Sequence, residues 1–381
     1  MPRSPHVVQS LLPRRSGHHV GSLISHLAVS VLALWFVGTM GSSPVLAQGE
    51  PAADFVKRLR AAEYYDLAIK YLDRLDQYPG VDSAFMTTVP LEKAQTYIES
   101  AGVARSVERR DEAFAEAEVQ LEAFLKNHPD NPRASEAHAQ LGKLRLFRGS
   151  QLMIGELDQG KRKQAREQFE AAAETFNDII ATLKGKLEQM KVANIDRDKE
   201  PEKAALRDRY RGEFLMALQN AGEAKMLAAE TYKDPAKEAP KLLEQALESY
   251  TDLSEKYDNY VLGAGAFYAR GKVEQLLGKR DQAFESYTRM LEQDDAPEFR
   301  DAKVGATAGL ISLMLSGEKK DYAAAIEAGE PMETSLRPNE QRTQIAQDLR
   351  VELARAYLAK NADEKNNKPN ERKRALSEAR K

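Results

Sequence analysis

The sequence predicts an all-α protein, a solenoid of irregular helix-turn-helix repeats. Three observations lead there. Good helix formers dominate the 381 residues, charged residues reach 30%, and aromatics only 7%. Alternating Val, Ile and Thr runs, the signature of strands, are scarce. A spacing of a small residue, a large residue four on and an apolar residue three further recurs along the chain.

Residues 1–47 carry the pattern of a secretory signal. A basic leader holds Arg3, Arg14 and Arg15 and no acidic residue. The apolar run "LAVSVLALWFV" at 27–37 follows, and Val45-x-Ala47 supplies the small residues that signal peptidase accepts. Cleavage between Ala47 and Gln48 is expected, with export to the periplasm or the extracellular space. The alternative is anchoring by residues 20–41, which have the length but include His26 and several hydroxyl side chains. The general secretory route fits better than twin-arginine export, because "PRRSGHH" lacks the apolar residues that usually follow the arginines. Cleavage would remove the only tryptophan, Trp35, and leave His128 and His138 as the remaining histidines. A short linker, 48–53, leads into the repeats.

The repeat pattern occupies residues 54–359. Its copies are Ala68/Leu72/Leu75, Ala117/Leu121/Phe124, Ala165/Phe169/Ala172, Ala246/Tyr250/Leu253 and Ala283/Tyr287/Met290, with a degenerate copy at Ala325/Gly329/Met332. Each triplet places its three residues on one helical face. Pro79, Pro129, Pro297 and Pro338 follow four of these helices and break them. First-helix patterns precede some copies: Leu141-Gly142, Gly271 in "FYARGKV", and Leu353-Ala354 with Tyr357 in "VELARAYL". In the clearest unit, 264–297, a helix runs from Phe267 towards Gly278, "KRD" makes the turn, and a second helix carries Ala283, Tyr287 and Met290. Gly271 costs about 1 kcal/mol against alanine inside a helix, and close packing is the expected compensation.

These residues resemble the tetratricopeptide repeat family, whose pattern is W-x2-L-G-x2-Y…A-x3-F…P. The resemblance implies a right-handed α-solenoid with the first helix of each pair on a concave face. Arg270 and Glu274 depart from the pattern, standing where it has leucine and tyrosine. The alanine-to-alanine steps of 49, 48, 81, 37 and 42 residues exceed the family period of about 34, so lengthened helices are expected. The 81-residue step should hold an insertion, and the apolar positions from Phe169 to Leu187 predict one unusually long helix there. "NIDRDKEPEKAA" and "KDPAKEAP" read as exposed connections. Residues 360–381, highly charged, read as a disordered tail or a polar capping helix.

The same resemblance implies function. The family holds extended peptides or partner helices on its first helices. Carried over residue by residue, that face contains Tyr268, Lys272 and Gln275, with Lys143 and Arg355 at the positions equivalent to Lys272. Such cations would meet carboxylates of a partner. The expected function is a non-enzymatic scaffold that binds other exported or envelope proteins or peptides. Self-association through open solenoid ends is a further expectation. The alternative is a helical arm or partner of a peptidoglycan-lytic enzyme, whose catalytic acid would be a glutamate before a serine, as in Glu99-Ser100, Glu248-Ser249 and Glu285-Ser286.

Other chemistry finds little footing. The 56 basic and 59 acidic residues are mixed without a basic stripe, so nucleic acid is not expected as a partner. Zero cysteines exclude disulfides, thiolate metal sites and a cysteine nucleophile. No phosphate loop, H-E-x-x-H motif or nucleophile elbow is present. The expectation is no cofactor, no metal and no catalytic residue.

Overall fold

The computed structural model describes residues 51–193, 195–316, 320–362 and Ser377. The expected signal, its cleavage site at Ala47 and Gln48, and nearly all of the charged tail lie outside them. The described helices belong to one unit, residues 45–381.

Fifteen α-helices run through the described residues, which contain no strand. The first five are α1 (Ala52–Ala61), α2 (Tyr65–Asp73), the single turn α3 (Ser83–Thr87), α4 (Val89–Val103) and α5 (Val107–Asn127). Next come α6 (Ala134–Leu152), α7 (Gln159–Val192), α8 (Pro201–Glu230), the short α9 (Pro235–Glu238) and α10 (Pro240–Lys256). The series ends with α11 (Val261–Leu276), α12 (Arg280–Leu291), α13 (Arg300–Ser316), α14 (Tyr322–Thr334) and α15 (Gln344–Ala362). The first of these starts two residues before the expected repeat boundary at 54, and the last runs three beyond 359.

Local chemistry sets the ends. Ser106, Asp158 and Asp321 cap α5, α7 and α14, each side-chain oxygen accepting a backbone N–H of the first turn. Pro201 and Pro240 open α8 and α10, where a missing N–H costs nothing. Gly278 closes α11 with φ +74°, and the next N–H, that of Lys279, reaches back to the Glu274 carbonyl at 2.8 Å. The turn after α11 is therefore Leu277–Lys279, and Arg280 already belongs to α12.

Helices pack against their neighbours in chain order, the arrangement of a solenoid. Five pairs repeat: α4/α5, α6/α7, α8/α10, α11/α12 and α13/α14, followed by α15. First helices also touch one another, α8 with α11, α11 with α13 and α13 with α15. The apolar core is accordingly serial. One cluster joins α4–α6, a second α7–α11, a third α11–α13 and a fourth α13–α15. The 81-residue step is filled by α7, 34 residues, and α8, 30 residues, which lengthen the second helix of one pair and the first helix of the next. Of the two expected connections, "NIDRDKEPEKAA" is non-helical over 195–200 but opens α8 from Pro201, and "KDPAKEAP" contains α9 and starts α10.

The five regular triplets are buried throughout, with every member at 3% exposure or less. Glycines on the first helices receive their large members. A Cβ on Gly271 would lie 2.7 Å from the Tyr287 ring, and one on Gly149 would lie 2.5 Å from the Phe169 ring. Gly222 meets the Tyr250 ring in the same way, at 2.9 Å. Gly309 of α13 covers the other edge of Tyr287. The glycines thus make seats for aromatic rings, so the ring occupies the helix crossing itself. In the degenerate copy the relation inverts: Gly329 on α14 is the seat, and Ile311 and Leu353 fill it, 2.8 and 2.9 Å from where a Cβ would stand.

Candidate functional site

The five residues expected to bind a partner all lie on first helices. Lys143 is on α6, Tyr268, Lys272 and Gln275 are on α11, and Arg355 is on α15. The middle three form one group. The other two are separated from it by α8 and by α13.

Four of them have intramolecular partners that the sequence did not reveal. Lys272 Nζ pairs with Glu230 Oε1 of α8 at 3.0 Å. The Tyr268 ring lies on Gly305 of α13, where a Cβ would come within 2.5 Å of it. Gln275 donates to Ser312 Oγ of α13 at 3.2 Å and accepts the Tyr287 hydroxyl at 2.9 Å. Arg355 pairs with Glu352 one turn earlier at 2.6 Å, an exposed (i, i+3) contact. Lys143 is exposed at the surface and has no ion pair within 4.0 Å among the described residues; desolvation of its stem lowers its pKa.

The electrostatics around Tyr268 run opposite to the expectation of a cationic face. Its phenol is pushed up first by burial; Lys272 pulls it down, and Asp348, Glu230 and Asp301 push it further up. Glu223 of α8, next to Gly222, is also raised by burial, with Lys272 opposing and Glu230 reinforcing. Burial lowers Lys272, yet Glu230, Tyr268 and Glu223 outweigh it and raise the ammonium's pKa. Glu223 and Glu230 of α8 thus act on Lys272, while Asp301 of α13 and Asp348 of α15 join Glu230 around Tyr268. Asp301 and Asp348 are exposed, and neither has an ion pair within 4.0 Å among the described residues. A neighbourhood of this sign attracts cations.

Glu274, at the repeat family's tyrosine position, is 2% exposed. It accepts from Arg270 Nε at 2.9 Å and from Ser286 Oγ at 2.6 Å. Arg270 and Glu274 thus compensate each other along α11, and Ser286 ties Glu274 to α12. Their role is packing.

The three Glu-Ser pairs do not converge. Glu99 on α4 accepts from Gln95, Glu285 on α12 faces Arg289, and Glu248 on α10 lines a cleft of about 350 Å³ with Glu244, Asp252 and Lys279. His128 follows the last residue of α5, and His138, on α6, is held low by burial against the opposing pull of Asp178. Among the described residues no group of three or more His, Cys, Asp or Glu could hold a metal ion. No described helix is long and apolar enough to cross a membrane. Compared with known proteins, the chain matches no family model and no curated sequence.

Proposed function

We propose that this chain is an exported, non-enzymatic scaffold of tetratricopeptide-like helix pairs, which holds protein partners of the cell envelope on its first helices. The partner segment presents lysine or arginine. The observation that carries the reading is the charge around Tyr268: Glu230, Asp301 and Asp348, from three different first helices, against the single Lys272. Lys272 and Glu230 pair with each other, so the exposed Asp301 and Asp348 are the charges that this face offers to a ligand. Export is supported by the basic, apolar and small-residue succession of residues 1–47.

Crosslinking capture in cells, followed by mass spectrometry of the envelope fraction, tests the reading. Tagged full-length protein should retain a reproducible set of exported or membrane proteins, and the bait should begin at Gln48. The double variant Asp301→Lys, Asp348→Lys should lose most of that set while keeping its helical content, because both side chains are exposed. An unchanged set would refute the acidic-face assignment. A bait that captures nothing would refute the scaffold.

A further inference from the structure

First helices reach forward along the chain through two positions seven residues apart. On α11 these are Tyr268, which lies on Gly305 of α13, and Gln275, which donates to Ser312 of α13. Aligning Ala354 with Gly271 puts Val351 and Leu358 of α15 at the same two positions. Burial supports this register. Gly263, Ala266, Val273 and Glu274 are buried on α11, and so are their counterparts Ala346, Leu349, Ala356 and Tyr357 on α15. Ala264, Phe267 and Gly271 are buried because α12 covers them; their counterparts Gln347, Arg350 and Ala354 are not buried. On α15 the forward positions are apolar, and Val351 and Leu358 are each 49% exposed. Among the described helices α15 packs on α13 and α14, and that packing leaves both side chains half exposed.

We propose that this face pairs with the same face of a second copy of the chain, the two α15 helices running antiparallel about a twofold axis. The face is self-complementary. With the axis beside Ala354, each Val351 meets the Leu358 of the other copy, and the small alanine permits close approach. Residues 352 and 355 then stand about 3 Å apart along the axis across the pair, within reach of an arginine. Arg355 can therefore exchange its exposed bond to Glu352 of its own chain for Glu352 of the other copy, twice. A cover from the same chain fits poorly, since residues 363–381 contain one large apolar side chain, Leu376, against two to be buried. One helix pair buries less than the roughly 800 Å² per partner of a standard interface, so the dimer is reversible. This inference does not rest on the proposed function, and its test substitutes neither Asp301 nor Asp348, although Asp348 stands one turn before Val351 on the same face of α15.

Sedimentation of the full chain over a concentration series up to about 100 μM, a range in which weak interfaces become visible, tests it. The expected result is a monomer–dimer equilibrium. Val351→Glu or Leu358→Glu should weaken it at least tenfold with helical content and Tm unchanged, since both sites are exposed. Arg355→Glu should weaken it too, and adding Glu352→Arg should restore it by swapping the charges. A chain that stays monomeric across the series overturns the proposal. So does a dimer indifferent to these substitutions, or a monomer whose α15 is protected from hydrogen exchange by residues 363–381.

Discussion

Gly271, Gly309 and Tyr287 show how single residues set this array. The ring of Tyr287 is held between two glycines on successive first helices, and its hydroxyl donates to Gln275. A methyl at Gly271 must displace the ring, so Gly271→Ala should destabilise by about 1–3 kcal/mol despite its better helix propensity. Chemical denaturation checks this, and Tyr287→Leu in the same chain should relieve part of the loss. A second residue-scale device is Glu92, 8% exposed, which bridges Arg60 of α1 and Arg133 before α6 at 2.7 Å each. Burial alone would raise its pKa, but the two guanidiniums prevail and hold it below the usual carboxylate range. A lowered folded pKa means that the contribution is present above the unfolded pKa, about 4.3 for glutamate, and is lost as pH falls through the folded value. Glu92→Gln should therefore cost on the order of 3 kcal/mol near neutrality and progressively less below about pH 4. Denaturation curves of both proteins across acidic pH read the convergence.

At the scale of elements, the repeat survives large changes in helix length because only the crossing is constrained. Between α6 and α7, Gly142 and Gly149 receive Phe176 and Phe169, seven residues apart on both helices. Two rings lock one long pair where one ring suffices for α11/α12. Charges add a tie across three helices: Arg145 of α6 binds Glu118 of α5 at 2.9 Å and Thr175 of α7 at 3.0 Å. Phe169→Ala should cost about 3–5 kcal/mol, because α6 and α8 are long and cannot collapse onto the void. A cost under about 1 kcal/mol in denaturant titration would show that α7 is held by its charges instead.

Across the whole molecule, the serial core predicts serial unfolding. Each apolar cluster spans only adjacent helices, so a void in one is transmitted weakly to the others. Hydrogen exchange on Phe169→Ala should show faster amides in α6–α8 and unchanged protection in α13–α15. Uniform acceleration along the chain would mean that the array unfolds as one cooperative unit. The same seriality explains why first helices from distant parts of the sequence lie side by side and present their carboxylates together.

What could be read in the sequence was whatever repeats with the helical period. Ala283, Tyr287 and Met290 announce their burial because residues four and seven apart share a helix face, and the other regular triplets do so for the same reason. Phe169 to Leu187 announced α7 in the same way. The chemistry of the proposed partner face was not legible, because it is made by residues that no local period relates. Lys272 reads as a free cation until α8 brings Glu230 to it, and Asp301 and Asp348 read as ordinary surface charges until α13 and α15 set them around Tyr268. Arg270 and Glu274 read as departures from a repeat, yet they pair with each other along α11, and Ser286 of α12 donates to Glu274 across the crossing. Backbone propensity and side-chain spacing act within one helix and are written in consecutive residues. The sign of a surface depends on distances between helices, which only their packing decides.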